Sequence, residues 1–377
     1  MDVWSSLSVG VWRRRRVPFV DLVVSPGRAA YLPGLVADIL NKQSNGASAR
    51  PQSTQLLLDE EQTGSNTVPL RALGRPPRLR AFVPVMYGCD RYCTFCIVPL
   101  TRGRERSRPI EDVVAEVRLL AASGTREITL LGQTVNSYGR RLPGRPGFAD
   151  LLRAVSAVPG ILRVRFTSPH PRGFSDEVID TLAELPQVCE HVHLPLQTAD
   201  PDLLRRMKRG YTIEQYDSLL MKLRSTIPGL AVSTDLMVGC PGETDSQFEA
   251  TMEYVRRARF DAAFMFAYSP RRGTKAAALP DQIDRATKID RLNALIELQN
   301  GITTDINAWL VGSEHEVLID GRSARDETRL TGLTRTYKTT HVETNGDSSD
   351  RTRPKTGDLV RVLVTDGGLT GLIGRVI

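Results

Sequence analysis

Residues 80–99 read "RAFVPVMYGCDRYCTFCIVP". An apolar run rich in β-branched and aromatic residues stops at Gly88 and gives way to a loop carrying Cys89, Cys93 and Cys96. Such a run reads as a buried strand, and the glycine marks the turn that ends it. In α/β proteins the chemistry sits at the carboxyl ends of strands, where this loop lies. Further strand-like runs follow: "EITLLGQ" (127–133), "LRVRFTS" (162–168), "EHVHLPL" (190–196), "LAVSTDLMVG" (230–239) and "AAFMFAYS" (262–269). Helical patterns at 110–122, 147–157, 174–184, 200–224 and 245–259 separate them. Six strands alternating with helices predict an α/β fold with a parallel sheet, doubly wound or curled into a partial barrel.

The flanks differ. Residues 1–45 hold one apolar run, "VPFVDLVVSPG", and the helix-like "AAYLPGLVADILNK". Residues 46–78 are polar and rich in Gly, Pro and Ser, and read as a linker. The α/β domain then spans 79–311 and ends in a long amphipathic stretch at 284–309. From 312 to 377 the pattern changes to short strands, which predicts a small all-β barrel of a kind that often binds nucleic acid. Acidic and basic residues are equal in number there, ten each, so any RNA surface on it must be local.

Composition bounds the function. The chain has 377 residues, room for two or three domains, and a formal charge of +7 that favours contact with a polyanion. "TRGRERSR" at 101–108 places Arg102, Arg104, Arg106 and Arg108 directly after the cysteine loop, which makes nucleic acid the leading partner class. No stretch reaches the roughly 18 apolar residues of a membrane span. The opening "MDVWSSLSVGVWRRRR" has its basic cluster after the apolar part, the reverse of a secretory signal, so the expected location is the cytoplasm. Three of the five cysteines fall within eight residues, which excludes a disulfide framework and points to metal.

Cys-x3-Cys-x2-Cys is one thiolate short of a closed tetrahedral site. Zinc would need a distant fourth ligand such as Cys189, Cys240 or a histidine. A 4Fe–4S cube held by three thiolates instead leaves one iron open for a substrate or cofactor.

With Phe95 before the last cysteine, this spacing resembles the signature of the radical S-adenosylmethionine (radical SAM) enzymes. The resemblance implies a partial (β/α)6 barrel. It also implies a 4Fe–4S cluster on Cys89, Cys93 and Cys96 whose open iron chelates S-adenosylmethionine, and release of a 5′-deoxyadenosyl radical. Five further motifs, "YCTFCIVPLTRGRERSRP", "EITLLGQTVNSYG", "HVHLPLQTADPDLLRRMKRGYT", "LMVGCPGET" and "FMFAYSPRRGTKAAALPDQI", are similar to the methylthiotransferases. That likeness runs from about residue 80 to 311 and more loosely to the end, where the β-module resembles a TRAM domain. It implies a tRNA-modifying transferase adding a methylthio group to C2 of N6-dimethylallyladenosine beside the anticodon. One S-adenosylmethionine would give the methyl group and another the radical. The other branches act on threonylcarbamoyl-adenosine tRNA or a ribosomal protein; a non-catalytic tRNA-binding remnant is the remaining alternative. Expected partners are the tRNA anticodon loop and an electron donor such as flavodoxin or ferredoxin, with the chain a monomer.

Residue by residue, the resemblance implies cofactor contacts for Phe95, Gly132, Gln133, Ser168, Gln197, Gly239, Pro241 and Gly242. It implies substrate or tRNA contacts for Arg102, Arg104, Arg106, His170, Arg271 and Arg272. His193 reads as a packed strand residue, and Cys189 and Cys240 as buried small side chains. The chain also departs from the family. Arg272 stands where proline is usual, Cys240 where phenylalanine is, and "QTAD" where "QSGS" is common. The family carries three more cysteines in an N-terminal domain, for an auxiliary 4Fe–4S cluster implicated in the sulfur supply. No cysteine precedes Cys89 here, so residues 1–45 read as the remnant of that domain. The expectation is either a gene start placed too late or a chain that makes the radical but does not insert sulfur.

Overall fold

The computed structural model describes residues 22–24, 32–44, 55–57, 78–323, 326, 328–343 and 354–377. Before the α/β domain these include β1 (Leu22–Val24), α1 (Leu32–Ser44) and β2 (Gln55–Leu57), with β1 and β2 paired in parallel. The rest of the expected linker and of the expected N-terminal remnant lies outside the described residues.

The alternation read from the sequence is present. The elements run β3 (Arg80–Pro84), β4 (Met86–Tyr87), α2 (Val98–Arg102), β5 (Arg106–Ser107), α3 (Ile110–Ala122), β6 (Glu127–Leu131), α4 (Phe148–Ser156), β7 (Arg163–Phe166) and α5 (Asp176–Glu184). They continue with β8 (His191–His193), α6 (Pro201–Arg206), α7 (Ile213–Thr226), β9 (Ala231–Val238), α8 (Asp245–Ala258), β10 (Ala262–Ala267) and α9 (Arg285–Trp309). Two three-stranded parallel sheets, β3-β6-β7 and β8-β9-β10, carry the domain. A parallel bridge between Val164 and Val188 joins them just before β8.

Side chains alternate across a strand, so each sheet has two faces. The outer face is apolar: Val83, Ile128, Leu130, Val164, Phe166, Val192, Leu194, Val232 and Leu236 form one core with Val113, Leu151, Leu152, Ile179, Leu220 and Val255 of the helices. The inner face is polar at its amino end, with Glu127, Arg163, Arg165, His191 and Ser233. That face would be costly to bury unpaired.

Its partners come from the C-terminal module. There β11 (Glu314–Arg322), β12 (Leu330–Thr334), β13 (Thr339–Glu343), β14 (Leu359–Gly368) and β15 (Gly371–Val376) close a five-stranded barrel around Val317, Ile319, Leu330, Val342 and Val362. The β12–β13 hairpin tip enters the amino-terminal mouth of the α/β domain. Arg163 donates to Leu333 O (2.6 Å) and to Glu316 Oε1 (2.9 Å). Arg165 donates to Arg335 O and Thr334 O (2.7 and 2.8 Å). Tyr337 stacks on His191 with ring centroids 5.0 Å apart, and the Arg165 guanidinium lies 5.0 Å from the same ring. Arg335 pairs with Glu190 and Lys338 with Asp261. Among the described residues no helix is long and apolar enough to cross a membrane.

Arg163 is fully buried, and its removal strands the Leu333 and Glu316 carbonyls and leaves Glu127 with Arg165 alone. Arg163→Ala should cost about 3–5 kcal/mol in urea unfolding. Limited proteolysis should then cut the junction near Gly312; an unchanged midpoint and an intact junction would contradict this account of the interface.

Candidate metal centre

The loop after β4 is fixed by its glycine and by backbone bonds. Gly88 takes φ 73°, and a Cβ there would lie 2.2 Å from Arg104 O, so no other residue fits. Cys89 N–H donates to Gly103 O (3.1 Å) and Cys96 N–H to Cys93 O (3.0 Å). The stretch read as one strand at 80–87 splits in two for the same purpose. β3 stays in the parallel sheet, while β4 leaves it to pair antiparallel with β5 and aims the loop across the strand ends.

Cys89 and Cys93 are buried and Cys96 is half-buried. Burial pushes the Cys89 and Cys96 thiols up, and Cys93 pushes each further. Cys89 Sγ accepts the Arg91 N–H (3.4 Å), and Cys93 Sγ accepts from Arg209 Nη1 (3.5 Å). Arg209 is itself buried, and it also donates to Pro195 O (3.2 Å). Burial opposes its charge, but Tyr211 and Cys93 beside it outweigh that and hold the guanidinium protonated. Among the described residues no three side chains converge on a single-ion site. A cube needs no such convergence, because each thiolate takes a different iron. Cys189 and Cys240 are separate from the three loop cysteines in the chain. Cys240 is buried with Leu203, Met207, Tyr268 and Ala276, and burial pushes its thiol up to about 12. Cys189 is buried near Arg163, Arg165 and Glu127.

The other expected residues fall into groups. Gly132 is packed under Met86, whose Cγ a Cβ would meet at 2.6 Å, and Gln133 carries a buried Oε1 with no partner. Ser168 and Gln197 take left-handed φ values of 56° and 75° at the ends of β7 and β8. His170 is buried, and its backbone N–H and C=O are both held by Asn136 (2.8 and 2.9 Å). Its Nδ1 accepts the Arg172 N–H (3.2 Å), which leaves the proton on Nε2, buried and without a partner. Burial, then Arg209, Arg91 and Arg172, lower its pKa to about 2, so the ring is neutral. Phe95 packs against the apolar group around Cys240. Gly239 and Gly242 take φ near 70°; Gly239 N–H donates to Glu243 Oε2 (2.5 Å), and Gly242 N–H to Asp281 O (2.7 Å). Pro241 O accepts from Arg206.

Arg102, Arg104, Arg271 and Arg272 are exposed and Arg106 half-buried. Arg104 leans on Asp90 (3.3 Å). Arg108 turns inward, bonding Pro84 O (2.7 Å) and Glu116 (2.6 Å), so it does not belong to the arginine surface that the run "TRGRERSR" suggested. His193 is a packed strand residue, held by Ser233 (3.0 Å) and Asp235 (3.3 Å).

The profile of the radical SAM superfamily matches residues 83–255. A tRNA-2-methylthio-N(6)-dimethylallyladenosine synthase from Carboxydothermus hydrogenoformans is 42% identical over 359 residues, 95% of this chain and 78% of the relative. One of the same name from Moorella thermoacetica is 46% identical over 93% of this chain and 75% of its own length. The chain belongs to this family of radical SAM enzymes. Among solved structures, coproporphyrinogen III oxidase from Escherichia coli aligns with a TM-score of 0.46 at 16% identity, covering 73% of this chain and 69% of that one. A radical SAM methyltransferase from Kitasatospora setae aligns with the same score at 18% identity, over 64% of this chain and 50% of that one.

The donor set fits the family's cluster. Three thiols stand at the strand ends beside a buried cation, with Gln133 Oε1 and His170 Nε2 unpartnered at the same ends. Reading the sequence missed Arg209 and the clamp beneath the loop, where buried Glu105 accepts from Thr134 (3.1 Å) and Ser137 (2.8 Å). The one available signal for Arg209 was "MKRGYT", which interrupts an otherwise helical stretch.

Gly88→Ala should lower reconstituted iron from roughly four per chain to less than half that, with the barrel still folded. Gly144→Ala, also at positive φ but with nothing within 4 Å, should keep its iron. Equal loading of the two variants would remove the steric account of the loop.

Proposed function

We propose that this chain carries out the radical SAM chemistry of methylthiolation at C2 of N6-dimethylallyladenosine, beside the anticodon of tRNA; with cysteines for one cluster, it accounts for the radical and not for the sulfur supply. The observation that carries the reading is the three-cysteine loop held across the strand ends, above an inner face whose upper part is aromatic and open. Phe264 and Phe266 lie there, 58% and 49% exposed, in register with Asp235 and Met237, and Phe82, 64% exposed, lies lower on the same face, level with Thr129 and Arg165. His193 meets Phe264 edge-on at 5.7 Å. Exposed aromatic walls of this kind suit a base with a five-carbon apolar tail. The adenine would leave the anticodon-loop stack to reach it, which favours a single-stranded substrate.

In this reading Cys89, Cys93 and Cys96 hold the cluster. With S-adenosylmethionine on its open iron, the group supplies a 5′-deoxyadenosyl radical. Arg209 places a fixed positive charge where the anionic cluster and a carboxylate would sit. Gln133 and His170 offer one acceptor and one donor, Phe95 an apolar wall, and the Gly239–Gly242 turn a close backbone approach. We read the two sheets as one six-stranded arc, a partial (β/α)6 barrel, and the small barrel as a TRAM-like tRNA holder, assisted by Arg102, Arg104, Arg106, Arg271 and Arg272. A flavodoxin- or ferredoxin-type donor, a monomeric state and a cytoplasmic location complete the reading.

The chain spans 71–78% of the relatives' lengths and carries ligands for one cluster. Anaerobic reconstitution should therefore give roughly four irons and four sulfides per chain; about eight would mean a second cluster. Cys93→Ala should abolish 5′-deoxyadenosine release in a barrel that still folds. Mass spectrometry of tRNA nucleosides tests the substrate: methylthiolated dimethylallyladenosine should disappear on deletion of the gene, and its persistence would defeat the reading.

A further inference from the structure

Beside the cysteine loop is a cavity of about 480 Å³ whose walls include Arg91, Arg140, Arg145 and Arg172. These residues come from three separate loops, and no motif in the sequence marks them. Arg91 sits between Cys89 and Cys93 in the chain, so the cavity opens next to the candidate metal centre.

Its charge is uncompensated. None of the four guanidiniums has a carboxylate partner among the described residues. The one acidic wall residue, Glu177, is already held by Arg153 at 2.9 Å. Neighbouring arginines with structural roles do have partners: Arg141 has Asp90, Arg108 has Glu116 and Arg165 has Glu127. Four cations thus line one cavity, Arg91 half-buried and the other three reaching solvent.

The backbone adds to this. The cavity reaches the amino-terminal ends of α4 and α5, at Phe148, Ala149 and the N-cap Ser175, where the partial positive charge is shared with Asp150, Asp176 and Glu177 of the same first turns. Another hollow, about 620 Å³ beside α8, is lined by Asp245, Glu249 and Asp290 with a single cation, Arg291, and suits an anion less well.

We propose that this arginine cavity binds backbone phosphodiesters of the substrate RNA next to the nucleotide that enters the barrel. The proposal rests on the tRNA reading above and deepens it. A base drawn out of its stack leaves its flanking phosphates at the rim, where planar guanidiniums hold them by paired hydrogen bonds. Those bonds fix register without reading sequence.

The test uses the full chain and an anticodon stem-loop RNA carrying dimethylallyladenosine, with binding followed by fluorescence anisotropy across a salt series. Arg140→Gln with Arg145→Gln should weaken binding roughly tenfold. The slope of log K against log salt should become shallower by about 0.7 for each phosphate that is no longer neutralised. Arg256→Gln with Arg257→Gln, on the exposed face of α8, removes the same charge and should leave binding and slope close to wild type. In a second arm, neutral methylphosphonates replace the linkages flanking the target. Wild type should lose affinity for that RNA, and the Arg140/Arg145 variant should lose little more. If the two double variants behave alike, the proposal is overturned. If inorganic phosphate or a free nucleotide competes while methylphosphonate RNA binds normally, the cavity takes a free anion and the RNA assignment is wrong. A wild-type protein that does not bind the stem-loop overturns the functional reading and this proposal with it.

Discussion

One residue ties the reactive end of the molecule together. Thr94, between the second and third cysteine positions, donates its N–H to Met207 O (3.1 Å) and accepts the Ala276 N–H on its carbonyl (3.0 Å). Its hydroxyl donates to Arg206 O (3.0 Å). Those partners follow the fourth and sixth strands of the domain, so the loop leaving the first strand is sewn to the far side of the arc. A metal site with three ligands on a free loop would sample many geometries; this one is held by the backbone before any metal binds. Burial of the thiols follows, and so does the approach of Arg209, which is set two residues after Met207.

The amino-terminal end of the domain solves a different problem by a similar route. The inner sheet face there is lined by Arg163, Arg165 and Glu127, and charges of this kind tolerate burial only with good partners. The β12–β13 hairpin supplies carbonyl oxygens and a tyrosine ring at that spot. The small barrel therefore acts as a floor for the α/β domain as well as a separate module. With that mouth filled, the aromatic part of the inner face opens toward the cysteine loop.

These two seams show what the sequence could and could not tell. Strands and helices were legible because the outer faces are mainly apolar, and α3 falls on the expected residues 110–122. The small barrel was legible from its short strands. The helical pattern at 200–224 reads as continuous, yet the helix breaks between α6 and α7. Lys208 and Gly210 take positive φ there, because Arg209 must turn inward to Cys93. Period alone cannot reveal such a break, since "MKRGYT" has only one strong helix breaker. The arginine run at 101–108 gave the right sign of charge but the wrong partition, with Arg108 turned to Glu116. Arg91, Arg140, Arg145 and Arg172 are scattered across 82 residues of sequence, and only the fold brings them together.

The same convergence explains His170. Its ring stands edge-on to Tyr211 at 5.6 Å, near Arg209, Arg91 and Arg172. In the unfolded chain it would titrate near 6.5. In the fold, burial and three cations depress its pKa to about 2, so it contributes a penalty that grows as pH falls from 6.5 toward 2. Its Nδ1 caps the following turn by accepting the Arg172 N–H, but its Nε2–H is left without a partner. A neutral donor kept at that cost, between a cation-lined cavity and a cluster of thiols, belongs with Arg209 and the four cavity arginines. Each is a group whose charge or hydrogen bond is unmatched by the chain itself, and all lie at the same end of the strands. An anionic cluster, a cofactor carboxylate and an RNA backbone are the groups that would complete them.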